Sequence, residues 1–269
     1  MKKILHIILI TIISLTVISC SSSDDSKTTT TSSVSFVAVG TSGTLLTSSD
    51  GTSWTSRTSG TSNGLQRVIY ANSTFVTVGD SGTILTSLDG ISWTSRTSGT
   101  TNTLYGITYG NSTFVTVGNS GTILTSSDGT SWDNRTSGTS NGLQRVIYAN
   151  SRFMVVGDAG SMLRSSDGIS WDNSTSQTTE NLYGIYYVNS SIVMVGESGT
   201  IITSLNDGSY WDNRTSGTTN RLYKVTYGNS TFVTVGLSGT VLTSSDNGTT
   251  WTSRTSGTTE TLHGIAYKE

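Results

Sequence analysis

Seventeen carboxylates, two histidines and one cysteine are the residues with which this chain could do acid–base, nucleophilic or metal chemistry. Only one histidine, His263, lies outside the first nineteen residues, so imidazole-based triads and metal centres have little material, and no catalytic set, metal site or cofactor is expected. What remains is a column of side chains that recurs along the chain: Gln66-Arg67, Tyr105-Gly106, Gln144-Arg145, Tyr183-Gly184, Tyr223-Lys224 and His263-Gly264. A cation alternates with glycine in it. Arg67, Arg145 and Lys224 brought near one axis could hold an anionic group, and Tyr105, Tyr183, Tyr223 and His263 could stack on a sugar. A second column reads Thr41, Asp80, Asn119, Asp158, Glu197 and Leu237. Asp80, Asp158 and Glu197 could join a ligand site, or Asp80 and Asp158 could simply pair with Arg67 and Arg145 at small energetic gain. Residues 58–73 and 136–151 are identical, so the agreement between Arg67 and Arg145 is also what a duplication would leave.

The elements that must position these residues come from internal repetition. Trp54, Trp93, Trp132, Trp171, Trp211 and Trp251 are 39 or 40 residues apart, and each follows a glycine by 14 or 15 residues. Within a unit, Leu-Tyr-Gly-Ile-Thr-Tyr from Leu104, Phe-Val-Thr-Val from Phe114, Gly-Thr-Ile-Leu-Thr-Ser from Gly121 and the stretch after Trp132 read as four short strands. Turn signals separate them at Gly110-Asn111, Gly118 to Gly121 and Asp128-Gly129. The chain has no proline, so Gly, Asn and Asp must make its turns. Four strands per unit of about 40 residues predict an all-β, six-bladed β-propeller of four-stranded antiparallel blades over residues 34–269. A solenoid would need distinct capping repeats at its ends. The region instead starts in a second strand, Ser35 to Gly40, and stops in a first strand, Leu262 to Tyr267. The expectation is a ring closed by the C-terminal strand pairing with the N-terminal strands.

The third turn carries a family resemblance. Ser244-Ser245-Asp246-Asn247-Gly248-Thr249-Thr250-Trp251 resembles the Asp-box of bacterial sialidase-type repeats, and Ser204 to Trp211 is a looser version. The first four units, such as Ser48-Ser49-Asp50-Gly51-Thr52-Ser53-Trp54, lack one residue between Asp and Gly. The Val-Gly-x-x-Gly and Ser-x-Asp-Gly-x-x-Trp pattern is also similar to propellers of the photosystem II stability and assembly factors. In such families the box is structural, which assigns Asp50, Asp89, Asp128, Asp167, Asp207 and Asp246 to turns and the six tryptophans to the core between blades. A sialidase would need three arginines around the substrate carboxylate, a Tyr–Glu nucleophile pair, an acid Asp and an Arg-Ile-Pro motif. The last is impossible here, and no Tyr–Glu pair beside an arginine stands out from the repeat.

Residues 1–19 join Lys2 and Lys3 to an apolar run too short to span a bilayer comfortably, as in a secretory signal. The run ends Val17-Ile18-Ser19-Cys20, which resembles the bacterial lipobox. The resemblance implies lipid on Cys20, which becomes the first mature residue on the bacterial envelope. Residues 20–33 read as a flexible polar tether from their low-complexity composition, and Asp24-Asp25 resembles the short acidic signal that sends some lipoproteins outward, to the outer membrane or cell surface. Without Lys2 and Lys3 the chain has 13 basic against 17 acidic residues, which argues against nucleic acid as a partner. The expected function is a non-catalytic, membrane-anchored, monomeric scaffold presenting one face to a protein. A lectin-like glycan-binding module is the alternative, and a glycosidase the third reading.

Overall fold

The computed structural model describes residues 34–268. The expected signal peptide (1–19), tether (20–33) and Cys20 lipidation site lie outside the described residues.

Six antiparallel sheets follow one another along the chain as the blades of a six-bladed β-propeller. In blade 3 the strands are Leu104–Gly110, Thr113–Gly118, Ile123–Ser126 and Asp133–Arg135, each paired with the next. Blades 2, 4, 5 and 6 repeat this order, with first strands Leu65–Ala71, Leu143–Ala149, Leu182–Val188 and Leu222–Gly228. Blade 1 has three strands, Phe36–Val39, Leu45–Ser48 and Thr55–Ser56. First strands of neighbouring blades pack together far more closely than fourth strands do, so the first strands line the axis.

Local chemistry explains each turn. The first hairpin closes on Asn-Ser pairs such as Asn111-Ser112, with φ of 45° and 56°, the double positive φ that matches strand twist. In the third turn of blade 3, Asp128 Oδ1 accepts from the N–H of Thr130 at 2.7 Å and of Ser131 at 3.0 Å, while Ser126 Oγ accepts from Gly129 N–H at 2.8 Å. The Trp132 indole donates to the Gly129 carbonyl at 3.0 Å, tying the ring to its turn. Blade 5 departs from the expected assignment. There Asn206 Oδ1 accepts from Ser204 Oγ at 2.9 Å and from Tyr210 N–H at 2.9 Å. Asp207, at φ 57°, turns away to accept from the Tyr187 hydroxyl at 2.8 Å and Asn150 at 3.0 Å. Asn206, not Asp207, is therefore the box residue of that blade.

These turns make the fold acid-sensitive. The Thr250 hydroxyl and N–H hold the Asp246 carboxyl down at about 2. Backbone N–H groups of Ser92 and Ile91 lower Asp89, and those of Ser170 and Ile169 lower Asp167. A depressed carboxylate stabilises the fold above its unfolded pKa, and that contribution disappears as pH falls through the folded one. Thermal melts at stepped pH are expected to be level near neutrality and to fall between about pH 4 and 2. A melting point unchanged down to pH 2 would contradict this account of the turns.

The core lies between blades. Val76, Val78 and Ile84 of blade 2 meet Leu104, Ile107, Phe114 and Leu124 of blade 3, with Trp132 at the edge. The fully buried wedges are phenylalanines: Phe114, Phe153 and Phe232 are 0% exposed. Among the tryptophans only Trp211, 5% exposed, is deeply buried, and Trp54, 43% exposed, is not core.

The end-to-end ladder expected for ring closure is not formed among the described residues. Leu262 N–H donates to Gly236 O at 2.9 Å, the same link that Leu65 makes to Gly40, so residues 262–268 start where a first strand should. A Cβ on Gly228 would overlap the Tyr267 ring, as one on Gly110 would overlap Tyr148. Yet this segment pairs with no strand, and Phe36 and Tyr267 stay 49% and 50% exposed. Every other first strand is held in register by its Asn-Ser turn; the segment from Leu262 has no such turn joining it to Phe36.

Candidate functional site

One face of the propeller, called the upper face below, carries the starts of the first strands, the turns after the second strands and the blade-to-blade loops. A one-residue bulge opens each complete first strand, between Leu65 and Arg67, Leu104 and Gly106, Leu143 and Arg145, Leu182 and Gly184, and Leu222 and Lys224. The bulge takes Gln66, Tyr105, Gln144, Tyr183 and Tyr223 out of the ladder and frees them to reach the turns.

Blades 5 and 6 and the C-terminal segment bring the largest set together. The Tyr183 hydroxyl donates to Glu197 Oε2 at 2.8 Å, and Arg221 Nε donates to Glu197 Oε1 at 2.9 Å. The Arg221 guanidinium lies 5.2 Å from the Tyr183 ring centre and 5.7 Å from that of Tyr223. Tyr223 in turn sits 5.0 Å from His263 and 5.9 Å from Tyr183, so three rings run in a row across three repeats. Glu180 joins the edge by accepting from Ser198 Oγ at 3.1 Å. Burial alone would raise the Glu197 carboxyl, but the bonds from Arg221 and Tyr183 outweigh it and hold it below the usual range. The Tyr183 phenol is pushed up, first by burial and then by Glu197.

A Tyr–Glu pair beside an arginine is thus present, contrary to the sequence expectation. It is not poised as a nucleophile. Its phenol is shifted away from ionisation, and its carboxylate is already bridged to Arg221.

The remaining candidates are placed differently. Tyr105, on blade 3, enters no ring pair among the described residues. Asp80 accepts from Gln66 Nε2 at 2.9 Å, and Asp158 from Gln144 Nε2 at 2.9 Å. The expected pairing of these carboxylates with Arg67 and Arg145 is not made: the bulged glutamine is nearer the turn than the cation behind it. Burial lowers the pKa of Arg67, and burial, followed by the Arg67 charge, lowers that of Lys224. Sequence reasoning missed Arg221. Its column otherwise reads Gly64, Thr103, Gly142, Asn181 and Thr261, so the one charged residue there was a usable signal.

Three wide grooves do not coincide with the array. They lie in the outer loops of blades 2, 5 and 6, at about 800, 860 and 820 Å³, and are lined mainly by Ser, Thr, Asn and Gly. Size without convergent charge or aromatic rings makes them weaker candidates than the array.

The comparisons place this architecture among known propellers. The chain resembles a solved structure described as YCF48 bound to D1 peptide, with a TM-score of 0.65 and 21% identity over 81% of this chain and 76% of that one. This is a β-propeller fold. YCF48 from Cyanidioschyzon merolae gives a TM-score of 0.66 at 16% identity, covering 84% of this chain and 82% of that one. The computationally designed Ika8 protein gives 0.65 at 10% identity, covering 88% and 79%. No family model and no curated protein matches the sequence. At these identities the likeness speaks for the fold alone.

Proposed function

We propose that this propeller is a non-catalytic scaffold that binds a protein partner on its upper face, tethered to the bacterial envelope by lipid on Cys20. The observation that carries the reading is the Arg221–Glu197–Tyr183–Tyr223–His263 array. Tyr and Arg are the residue types that dominate binding hot spots, because they bring large contact area with little rotamer loss or with a planar, bidentate charge. Here they are pre-organised: the ion pair fixes Arg221, and Arg221 fixes two rings. The Arg221 and Glu197 side chains remain 39% and 28% exposed, so a partner can still reach them. That a YCF48 structure holds a D1 peptide supports peptide recognition as a use of this architecture.

A glycan reading draws on the repeated hydroxyl- and amide-lined grooves, which offer many hydrogen bonds. The two are separated by screening the purified protein against a random peptide display library and a glycan array. Selected peptides should bind saturably, lose about tenfold or more in affinity with Tyr223→Ala or Arg221→Ala, and keep it with Leu88→Ala on the opposite face. Glycan hits unaffected by Arg221→Ala, or turnover of aryl glycosides, would replace this reading.

A further inference from the structure

We infer that Arg67 and Lys224, with Arg145 completing the set, hold a free inorganic oxyanion of phosphate or sulfate size where the first strands gather around the axis. This site is separate from the aromatic array and does not depend on what binds there.

Three observations converge. First, the cations occupy one structural position. Arg67, Arg145 and Lys224 each directly follow the bulge of a first strand, opposite Val78, Val156 and Val235 of the second strand. Glycine holds this position on blades 3 and 5, where the neighbouring backbone crowds it. A Cβ on Gly106 would stand 3.3 Å from Arg145 Cα, and one on Gly184 would stand 3.2 Å from Lys224 Cα. Glycine lets the first strands close in, and the long side chains are left to fill the axis.

Second, the cations lack protein counter-charges. Among the described residues, the three ion pairs involve Arg135, Arg214 and Arg221, and none involves Arg67 or Lys224. The carboxylates in the upper-face turns of the same blades, Asp80 and Asp158, are engaged by Gln66 and Gln144. The Arg67 Nε is buried without a hydrogen-bond partner, an arrangement that ordinarily costs stability unless an acceptor arrives. Like charges brought together in a partly desolvated channel repel, and a shared anion reverses that sign.

Third, duplication does not account for the set. The identical stretches 58–73 and 136–151 explain Arg67 and Arg145, but the unit from Leu222 reads Tyr223-Lys224 and arrives at a cation by a different sequence.

Tetrahedral oxyanions suit a site of several separated donors better than a flat carboxylate does, and guanidinium and ammonium groups are the usual donors to them. The test is isothermal titration calorimetry of the purified full chain with sodium phosphate and sodium sulfate, against sodium chloride at matched ionic strength. One saturable oxyanion per chain is expected, with acetate binding far more weakly. Arg67→Gln and Lys224→Gln should each weaken it about tenfold or more, Arg67→Lys should retain most of it, and Arg221→Ala should leave it unchanged. In phosphate-free, low-salt buffer, Lys224→Gln should melt no lower than the wild type, since it removes a repulsion. Heats indistinguishable from the chloride control would overturn the inference, as would wild-type affinity in the Arg67→Gln and Lys224→Gln proteins. Acetate binding as tight as phosphate would overturn the free-oxyanion assignment in favour of a carboxylate carried by a partner.

Discussion

Trp211→Ala is expected to lower the unfolding free energy by about 3–5 kcal/mol, and Trp54→Ala by only about 1 kcal/mol. The two residues hold the same place in their repeats, so the difference isolates packing from local sequence. Trp211 is 5% exposed and belongs to a cluster with Met154, Val156 and Met162 of the preceding blade, with the Arg164 guanidinium 5.5 Å from its ring centre. Truncation there removes the buried area and leaves a cavity that strands paired on both sides cannot collapse into. Trp54 is 43% exposed and leans 6.5 Å from Phe36, itself 49% exposed, so most of its surface already meets water. Urea unfolding followed by circular dichroism measures both. Equal losses would mean that the seam beside blade 1 is sealed and that Trp54 wedges blades as the others do.

The second large effect belongs to a turn. Gly121→Ala should cost about 3–5 kcal/mol, while Gly99→Ala should cost about 1–2 kcal/mol. Both glycines have positive φ, 67° and 73°, so both substitutions carry backbone strain. They differ in their surroundings. A Cβ on Gly121 would overlap the Thr139 carbonyl oxygen and stand 2.9 Å from its carbon, whereas one on Gly99 meets nothing within 4 Å. Gly121 N–H also donates to Asn141 O at 2.8 Å, so the turn cannot swing aside without losing that link between blades. The same urea unfolding decides it. Equal costs would show that φ alone governs these positions.

The tryptophan period made blade number and strand order legible, because one indole per unit marks the same turn each time. Box function was legible wherever one carboxylate stood before the glycine. It was not legible in blade 5, where Asn206 and Asp207 are adjacent and both can cap a turn; the bonds that Asn206 Oδ1 accepts from Ser204 and Tyr210 decide between them. Ring closure was read from complementary partial units, but complementarity says nothing of the turn that fixes register, and residues 262–268 lack one. The Tyr183, Tyr223 and His263 row followed from their shared column. The bonding of Asp80 and Asp158 did not, because a strand read by strict alternation hides the bulge that releases Gln66 and Gln144. Arg221 differs: it lies in a blade-to-blade loop column of uncharged residues, in neither the first-strand column nor the turn column that carry the other candidates.

The central claim, that the upper face receives a protein partner, is tested most directly by site-specific photo-cross-linking in the living cell. A photoreactive side chain at Thr219, exposed beside Arg221, is compared with one at Leu88, 79% exposed beside the third turn of blade 2. The account predicts a discrete protein adduct from position 219 that disappears when Tyr223→Ala is added, and none from position 88. An adduct only from position 88, or one from position 219 indifferent to Tyr223→Ala, would contradict it.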